Sequence, residues 1–467
     1  MRILSFFLII LLGFSALSAQ NVSNTWIGVW EGQLKVSNNA LRIVFNISQD
    51  ASGALSATMD SPDQGAMGLA VKSVVVQDKQ VTLELSVPVA KYEGILSEDK
   101  TELIGQWKQG GAALPLTLKH VEKASHLPRP QVEAIENDLH LPYANQEVSY
   151  INPKGNITLS GTFSKPNQGR KFPAVLLITG SGAQDRDETL FEHKPFLVLA
   201  DYLARRGIAV LRVDDRGIGK SGGDLKGTTL DFADDVRAGI AYLKTRRDVN
   251  PRKIGLIGHS EGGLIAPIVA SSSRDVAFIV LMAGTGVTGD QVILSQVIKP
   301  MEIQKMRPAV IEKAREQQSA VLQIAMNEAN PDSAVVKMLK ALYPNPERLP
   351  VSARQQIEAQ LRPMLSPWYH TFLSLDPAPY LQKVKCPVLA LNGDKDVQVI
   401  ADLNLPKIES ALKSGNNRRY LIKTLPNLNH LFQTATTGLT SEYGQITETL
   451  APIALETIAT WILEQVR

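Results

Sequence analysis

A chain of 467 residues is too long for one ordinary domain and points to two or three. With 44% hydrophobic and 20% charged residues it has the composition of a packed globular protein, without low-complexity or disordered stretches of consequence. Its basic and acidic residues are interspersed around a net charge of +3, which speaks against a nucleic-acid partner.

Met1 to Ala19 reads as a secretory signal peptide. Arg2 supplies the positive start, Ile3 to Phe14 the apolar stretch, and Leu17-Ser18-Ala19 a small residue before cleavage at Gln20. The apolar run is shorter than the ~18–20 residues of a membrane-spanning helix. The expected location is therefore secreted or periplasmic, with no transmembrane segment once the signal is removed. Cys386 is the single cysteine, so no internal disulfide forms and no lipidated cysteine stands near the mature N-terminus.

Residues 20–121 have an all-β texture. Leu41 to Ile47, Val81 to Ser86 and Leu114 to Leu118 alternate with period two, and Ser52-Gly53, Ser61-Pro62-Asp63 and Gly110-Gly111 mark turns. The pattern predicts a small antiparallel barrel or sandwich of seven or eight strands. Two Gly-x-Trp units, ending at Trp30 and Trp107, place tryptophans in its core; a faint similarity to lipocalins raises ligand binding as the alternative. Residues 122–145 are mixed and polar and read as a linker with one helical turn.

From residue 146 the texture changes. A hairpin around Asn152 to Asn156 precedes a buried strand at Phe172 to Thr179, a helix at Phe196 to Arg206 and a strand at Ile208 to Val213. A helix at Asp231 to Arg246, a strand at Lys253 to Ile257 and a strand at Asp275 to Met282 follow. Such alternation predicts a mostly parallel sheet with helices on both faces. Residues 284–383 break it with a helical stretch, including Val310 to Asn327 and Ala353 to Leu361, that reads as a cap over the strand ends. Strands resume at Cys386 to Leu391 and Tyr420 to Lys423, and a helix from Ile446 to Gln465 closes the chain.

Gly258-His259-Ser260-Glu261-Gly262 sits between the Lys253 strand and an apolar helical run. Strand, sharp turn with serine, then helix is the context of a G-x-S-x-G nucleophile elbow. Such a serine needs a base, and the base needs a carboxylate. Downstream histidines are His370, in the helical stretch, and His430, in the loop after the last strand; His430 is the expected base. The acid falls in Asn392-Gly393-Asp394-Lys395-Asp396, where spacing favours Asp396 and leaves Asp394 as a turn or capping residue. Oxyanion donors are expected from the backbone of Glu261 and from Ser181 and Gly182 in the glycine-rich loop after the Phe172 strand.

Rival chemistries fail on spacing. Gly219-Lys220-Ser221 has Asp214 where a phosphate-binding loop requires glycine, so it reads as a turn with paired charges. No His, Cys or Asp cluster has metal-ligand spacing, Glu192-His193 lacks a second histidine one turn away, and no cofactor is expected.

Residues 145 to the C-terminus resemble the α/β-hydrolase fold, more narrowly bacterial serine esterases near the dienelactone-hydrolase and serine-aminopeptidase-like branch. The matching pieces are Thr179 to Glu188, Asp215 to Ser221, Gly258 to Gly262, Gly393 to Asp396 and Asn429 to Phe432. The resemblance implies a Ser260, Asp396, His430 triad and hydrolysis of a small-molecule acyl ester through an acyl-enzyme. A serine peptidase on the same fold is the enzymatic alternative. A ligand-binding barrel on an inactive hydrolase scaffold is the non-enzymatic one.

Overall fold

The structure, a computed structural model, describes residues 24–36, 39–86 and 88–467; the stretch read as a signal peptide lies outside them. The chain divides into two compact units, one ending at Ser125 and one running from His126 to Arg467.

The first unit is a closed barrel of eight strands: β1 (Gly28–Val36), β2 (Asn39–Gln49), β3 (Leu55–Ser61), β4 (Ala66–Gln77), β5 (Gln80–Leu85), β6 (Ala90–Leu96), β7 (Glu102–Gln109) and β8 (Ala112–Val121). Each strand pairs antiparallel with the next, and β1 closes on β8 with Gly32 opposite Leu118. Closure leaves no free edge to aggregate. Alternation along the strands sends Trp30, Phe45, Leu83, Tyr92, Leu103, Leu116 and Leu118 inward, all buried. Trp30 Nε1–H donates to the Trp26 carbonyl at 2.9 Å, and the Tyr92 hydroxyl to the Leu103 carbonyl at 2.8 Å, so the polar tips inside are satisfied. Side chains fill this interior, and both Gly-x-Trp tryptophans belong to its core.

The second unit holds an eight-stranded sheet of β9 (Tyr143–Asn152), β10 (Ile157–Pro166), β11 (Phe172–Ile178), β12 (Ala209–Val213), β13 (Val249–His259), β14 (Phe278–Met282), β15 (Val388–Gly393) and β16 (Tyr420–Leu425). Its spatial order is β9-β10-β12-β11-β13-β14-β15-β16, with β9, β10 and β12 joined antiparallel and all later pairs parallel. That order is the α/β-hydrolase arrangement. Every residue of β14 and β15 is buried, as expected of strands covered on both faces.

The helices are α1 (Pro130–Glu136), α2 (Pro195–Ala204), α3 (Thr229–Thr245), α4 (Glu261–Ala270), α5 (Gly289–Ile303), α6 (Pro308–Asn327), α7 (Pro331–Leu342), α8 (Val351–Leu361), α9 (Pro367–Ser374), α10 (Ala378–Leu381), α11 (Ala401–Ser414) and α12 (Pro452–Val466). Helices α5 to α9 lie between β14 and β15 in the chain. They carry a small core of their own around Val321, Leu322, Val335, Met338 and Leu373. Among the described residues no helix is long and apolar enough to cross a membrane.

Two boundaries differ from the sequence reading. The stretch expected as a linker contains α1 and the start of β9, and the Gln131 side chain bonds the backbone at Thr449 and Leu450. The closing helix starts at Pro452 rather than Ile446. A proline ring inside a helix would collide with the carbonyl four residues back, so Pro452 stands in the first turn and the preceding residues bond to Gln131 instead.

Candidate active site

The elbow is built by close approach of backbones. A methyl group on Gly258 would meet the Gly262 carbonyl oxygen at 2.0 Å, and one on Gly262 would meet the Ile178 carbonyl oxygen at 2.1 Å. Only glycines let β13 turn so sharply into α4 beside the end of β11. Ser260 itself takes φ 53° and ψ −115°, a strained region for a residue with a side chain. Two bonds hold it there: its N–H donates to the Met282 carbonyl at 2.9 Å, and its carbonyl accepts the Gly263 N–H at 2.9 Å.

The loops after β15 and β16 bring Asp396 and His430 together. His430 Nδ1 stands 2.8 Å from Asp396 Oδ2, and both side chains are buried. Asp396 Oδ1 accepts the N–H groups of Gln398 and Val399 at 2.7 and 2.9 Å, which fixes the carboxylate. Asp394 is exposed and accepts the Asn427 N–H at 2.6 Å, capping the turn that leads to His430. His430 Nε2 has no hydrogen-bond partner among the described residues, and His430 lines one cavity of about 150 Å³ with Ser260. His370, by contrast, is exposed on α9 and faces the Met326 carbonyl.

The loop after β11 lies beside Ser260: a methyl group on Gly180 would sit 3.3 Å from Ser260 Cβ. The Gly180 N–H is already committed to Glu188 Oε1 at 2.6 Å. Ser181 lines the Ser260 cavity, and among the described residues neither its N–H nor that of Glu261 has an acceptor in the protein. Gly182 lines not this cavity but a neighbouring chamber of about 460 Å³, bordered also by Ser181, Asp215, Leu225, Phe232 and Trp368. Trp368 borders both spaces.

Three acids surround these elements, Glu261 and Glu188 buried and Asp215 half-buried. Glu261, whose backbone follows Ser260, turns its carboxylate to Thr229 Oγ1 at 2.6 Å and Trp368 Nε1 at 2.9 Å. Burial raises its pKa, against the lowering effect of those two donors. Asp215 accepts Thr179 Oγ1 at 2.7 Å and the Gln184 N–H at 3.0 Å, pinning the Gly180 loop; burial pushes it up to about 7. Glu188 pairs with His259, at 3.0 Å.

The Trp368 and Glu188 contacts were not visible in the sequence, because each joins residues distant in the chain. The only local signal was the tryptophan beside His370 at the end of the helical stretch. The Gly219-Lys220-Ser221 turn is structural. Asp214 pairs with Arg186 at 2.7 Å, accepts the Lys220 N–H, and would clash with a side chain at Gly219, while the Ser221 hydroxyl donates to the Asp214 carbonyl at 2.8 Å. His193 is buried against Thr449, Tyr443 and Gln433, and burial drives its pKa down to about 4. It stays neutral and braces the loop carrying His430, since Gln433 also bonds Asn429.

A hydroxyl on a strained elbow, an imidazole tied to a carboxylate on one nitrogen and open on the other, and unpaired N–H donors around one cavity can carry out acyl transfer. Comparison with known proteins agrees with a hydrolase. The chain is 26% identical over 280 residues to Esterase EstD of Thermotoga maritima, covering 57% of each chain. It is 28% identical over 145 residues to the uncharacterized protein YfhR of Escherichia coli K12, covering 31% of this chain and 48% of that one. It thus spans about half the length of the curated relatives it matches. The solved Pyrococcus furiosus esterase Pf2001 aligns over 70% of this chain and 91% of its own, at 17% identity and a TM-score of 0.43. The family described as X-Pro dipeptidyl-peptidase (S15 family) matches residues 155–405, more than half the chain, including the Gly180 loop, Ser260 and Asp396. On that match, this hydrolase belongs to the S15 family.

Proposed function

We propose that this protein hydrolyses small carboxylic esters through an acyl-enzyme on Ser260. The observation that carries the reading is the 2.8 Å His430–Asp396 contact, with His430 lining the same cavity as the strained Ser260. His430 Nε2 takes the Ser260 proton while Asp396 holds Nδ1–H and balances the imidazolium. Ser260 Oγ attacks the carbonyl carbon. The N–H groups of Glu261 and Ser181 receive the oxyanion, with Gly182 the alternative loop donor. Collapse of the tetrahedral intermediate breaks the ester bond, and His430 returns its proton to the leaving alkoxide. Water, deprotonated by His430, then releases the acid and restores Ser260.

Ester rather than peptide turnover is supported by the cavity wall. A peptide N-terminus needs a free carboxylate to hold its ammonium group, but Glu188 and Glu261 are both engaged, and Gln184, Gln296 and Gln398 supply neutral polarity. A relative named as an esterase points the same way. The S15 match favours the second reading, a serine peptidase acting on X-Pro peptides. Export to the periplasm or the medium is proposed from the Arg2, Ile3–Phe14 and Ala19 pattern. The test is p-nitrophenyl acetate beside an X-Pro anilide, on wild type and Ser260→Ala. Ester turnover and fluorophosphonate labelling, both abolished in the variant, are expected. Turnover of the anilide alone would select the peptidase, and an unreactive Ser260 in the wild type would reject catalysis.

A further inference from the structure

His259 precedes the nucleophile, yet the reaction just described makes no use of its ring. That ring is buried and sits between two fixed acceptors. Nδ1 faces Glu188 Oε1 at 3.0 Å, and Nε2 faces the main-chain carbonyl oxygen of His430 at 2.9 Å. A neutral imidazole carries one N–H and would turn its lone pair on one of these oxygens; two N–H groups satisfy both. Glu188 Oε1 also accepts the Gly180 N–H at 2.6 Å, so this oxygen acts as an acceptor on two sides.

The surroundings support a cation. Glu188 comes from the Gly180 loop, Asp396 from the loop after β15, and Glu261 follows on α4, with Asp215 beyond Glu188. The other ring in contact is His430 at 4.7 Å, and the Phe432 ring presents an edge-type contact at 6.3 Å. Burial alone disfavours a charged His259, but the Glu188 charge and hydrogen bond, the His430 carbonyl and Asp396 outweigh it and raise its pKa.

The three contacts of this pair belong to three different catalytic loops. His259 is on the elbow, Glu188 holds the Gly180 backbone that lines one cavity with Ser260, and the His430 carbonyl belongs to the residue that carries the base. We infer that His259 is a permanent imidazolium, and that its ion pair with Glu188 is a positioning device locking elbow, oxyanion loop and base loop into one geometry. The positioning half rests on the acyl-enzyme reading; the charge state does not.

The test begins on the full wild-type protein with ¹⁵N-histidine NMR between pH 5.5 and 8.5. His259, assigned by the signals lost in His259→Gln, should show two protonated ring nitrogens that do not titrate. A singly protonated ring overturns the charge assignment, whether or not the protein turns over an ester. Glu188→Gln keeps an acceptor for Gly180 but removes the charge. One ring N–H signal should disappear, and kcat should fall roughly 10- to 100-fold with KM little changed, the size expected when reacting groups lose alignment. His259→Gln, which offers two N–H groups without charge, should fall in the same way and serves if Glu188→Gln does not fold. A wild-type kcat in either folded variant overturns the positioning role.

Discussion

Replacing Asp396 with asparagine separates the roles of the two candidate acids. Asp396 Oδ1 is fixed by the N–H groups of Gln398 and Val399, so the new side chain keeps its oxygen there and turns its NH₂ toward His430. The His430 Nδ1 now has to accept, which moves the ring proton to Nε2, where the serine proton should arrive. A base in that tautomer cannot act. The expected loss in kcat is about 10⁴-fold, equivalent to roughly 5 kcal/mol of transition-state stabilisation. Shape is preserved, so stability should change by only about 1 kcal/mol. Asp394→Asn gives the contrast, since Asp394 is exposed and only caps the turn at Asn427. Asparagine keeps the oxygen that accepts the Asn427 N–H, so stability should change by less than about 1 kcal/mol and kcat should stay within a few-fold of wild type. Steady-state p-nitrophenyl acetate hydrolysis and thermal unfolding of both variants measure these effects. An Asp396→Asn enzyme retaining a tenth of wild-type kcat, or a dead Asp394→Asn enzyme, would refute the assignment.

Three further outcomes are expected. Gly262→Ala forces a methyl group to 2.1 Å from the Ile178 carbonyl and should destabilise by about 3 kcal/mol or more, read by urea unfolding. Wild-type stability would disprove the close approach. Trp368→Ala removes a large side chain bordering both the 150 and 460 Å³ spaces, so the kcat/KM ratio for p-nitrophenyl octanoate over acetate should rise. An unchanged ratio would show that Trp368 is not the wall. Asp215, raised from 3.8 to about 7, favours folding when protonated, and that contribution fades as pH rises from about 4 through 7. The wild-type Tm should fall by several degrees between pH 5.5 and 8.5, and the fall should be smaller in Asp215→Asn; equal slopes would rule Asp215 out as the source.

What could be read from the sequence follows the range of the interactions. Glycine spacing and apolar strands marked the elbow because the collisions that demand Gly258 and Gly262 arise within a few residues or with the neighbouring buried strand. The loops of Asp396 and His430 were placed because each follows an apolar strand run, buried throughout in β15 and at Leu425 in β16. Barrel closure through β1 and β8 was not legible, since alternation fixes which face is buried and not which edge pairs. Nor was the split between Ser181 and Gly182. Both have free-looking glycine-loop backbones in sequence, and only the loop's path puts Ser181 on the Ser260 cavity as well as the chamber beside it, and Gly182 on that chamber but not the cavity. His259 and Glu188 are 71 residues apart, and either alone reads as an ordinary turn residue.

These long-range contacts also resolve an electrostatic problem in the site. Glu188 and Glu261 line the Ser260 cavity and Asp215 the chamber beside it, and three free charges there would oppose the negative oxyanion that the proposed reaction builds. Each is handled differently. Glu188 faces the His259 ring, burial raises the cost of a charge on Glu261 against the two donors that lower it, and burial pushes Asp215 up to about 7. The negative field left at Ser260 is then mainly that of Asp396, which is matched by the proton His430 gains as the oxyanion forms. Among the described residues the same distribution leaves no unengaged carboxylate in the Ser260 cavity, which is in keeping with the neutral acyl ester proposed as substrate.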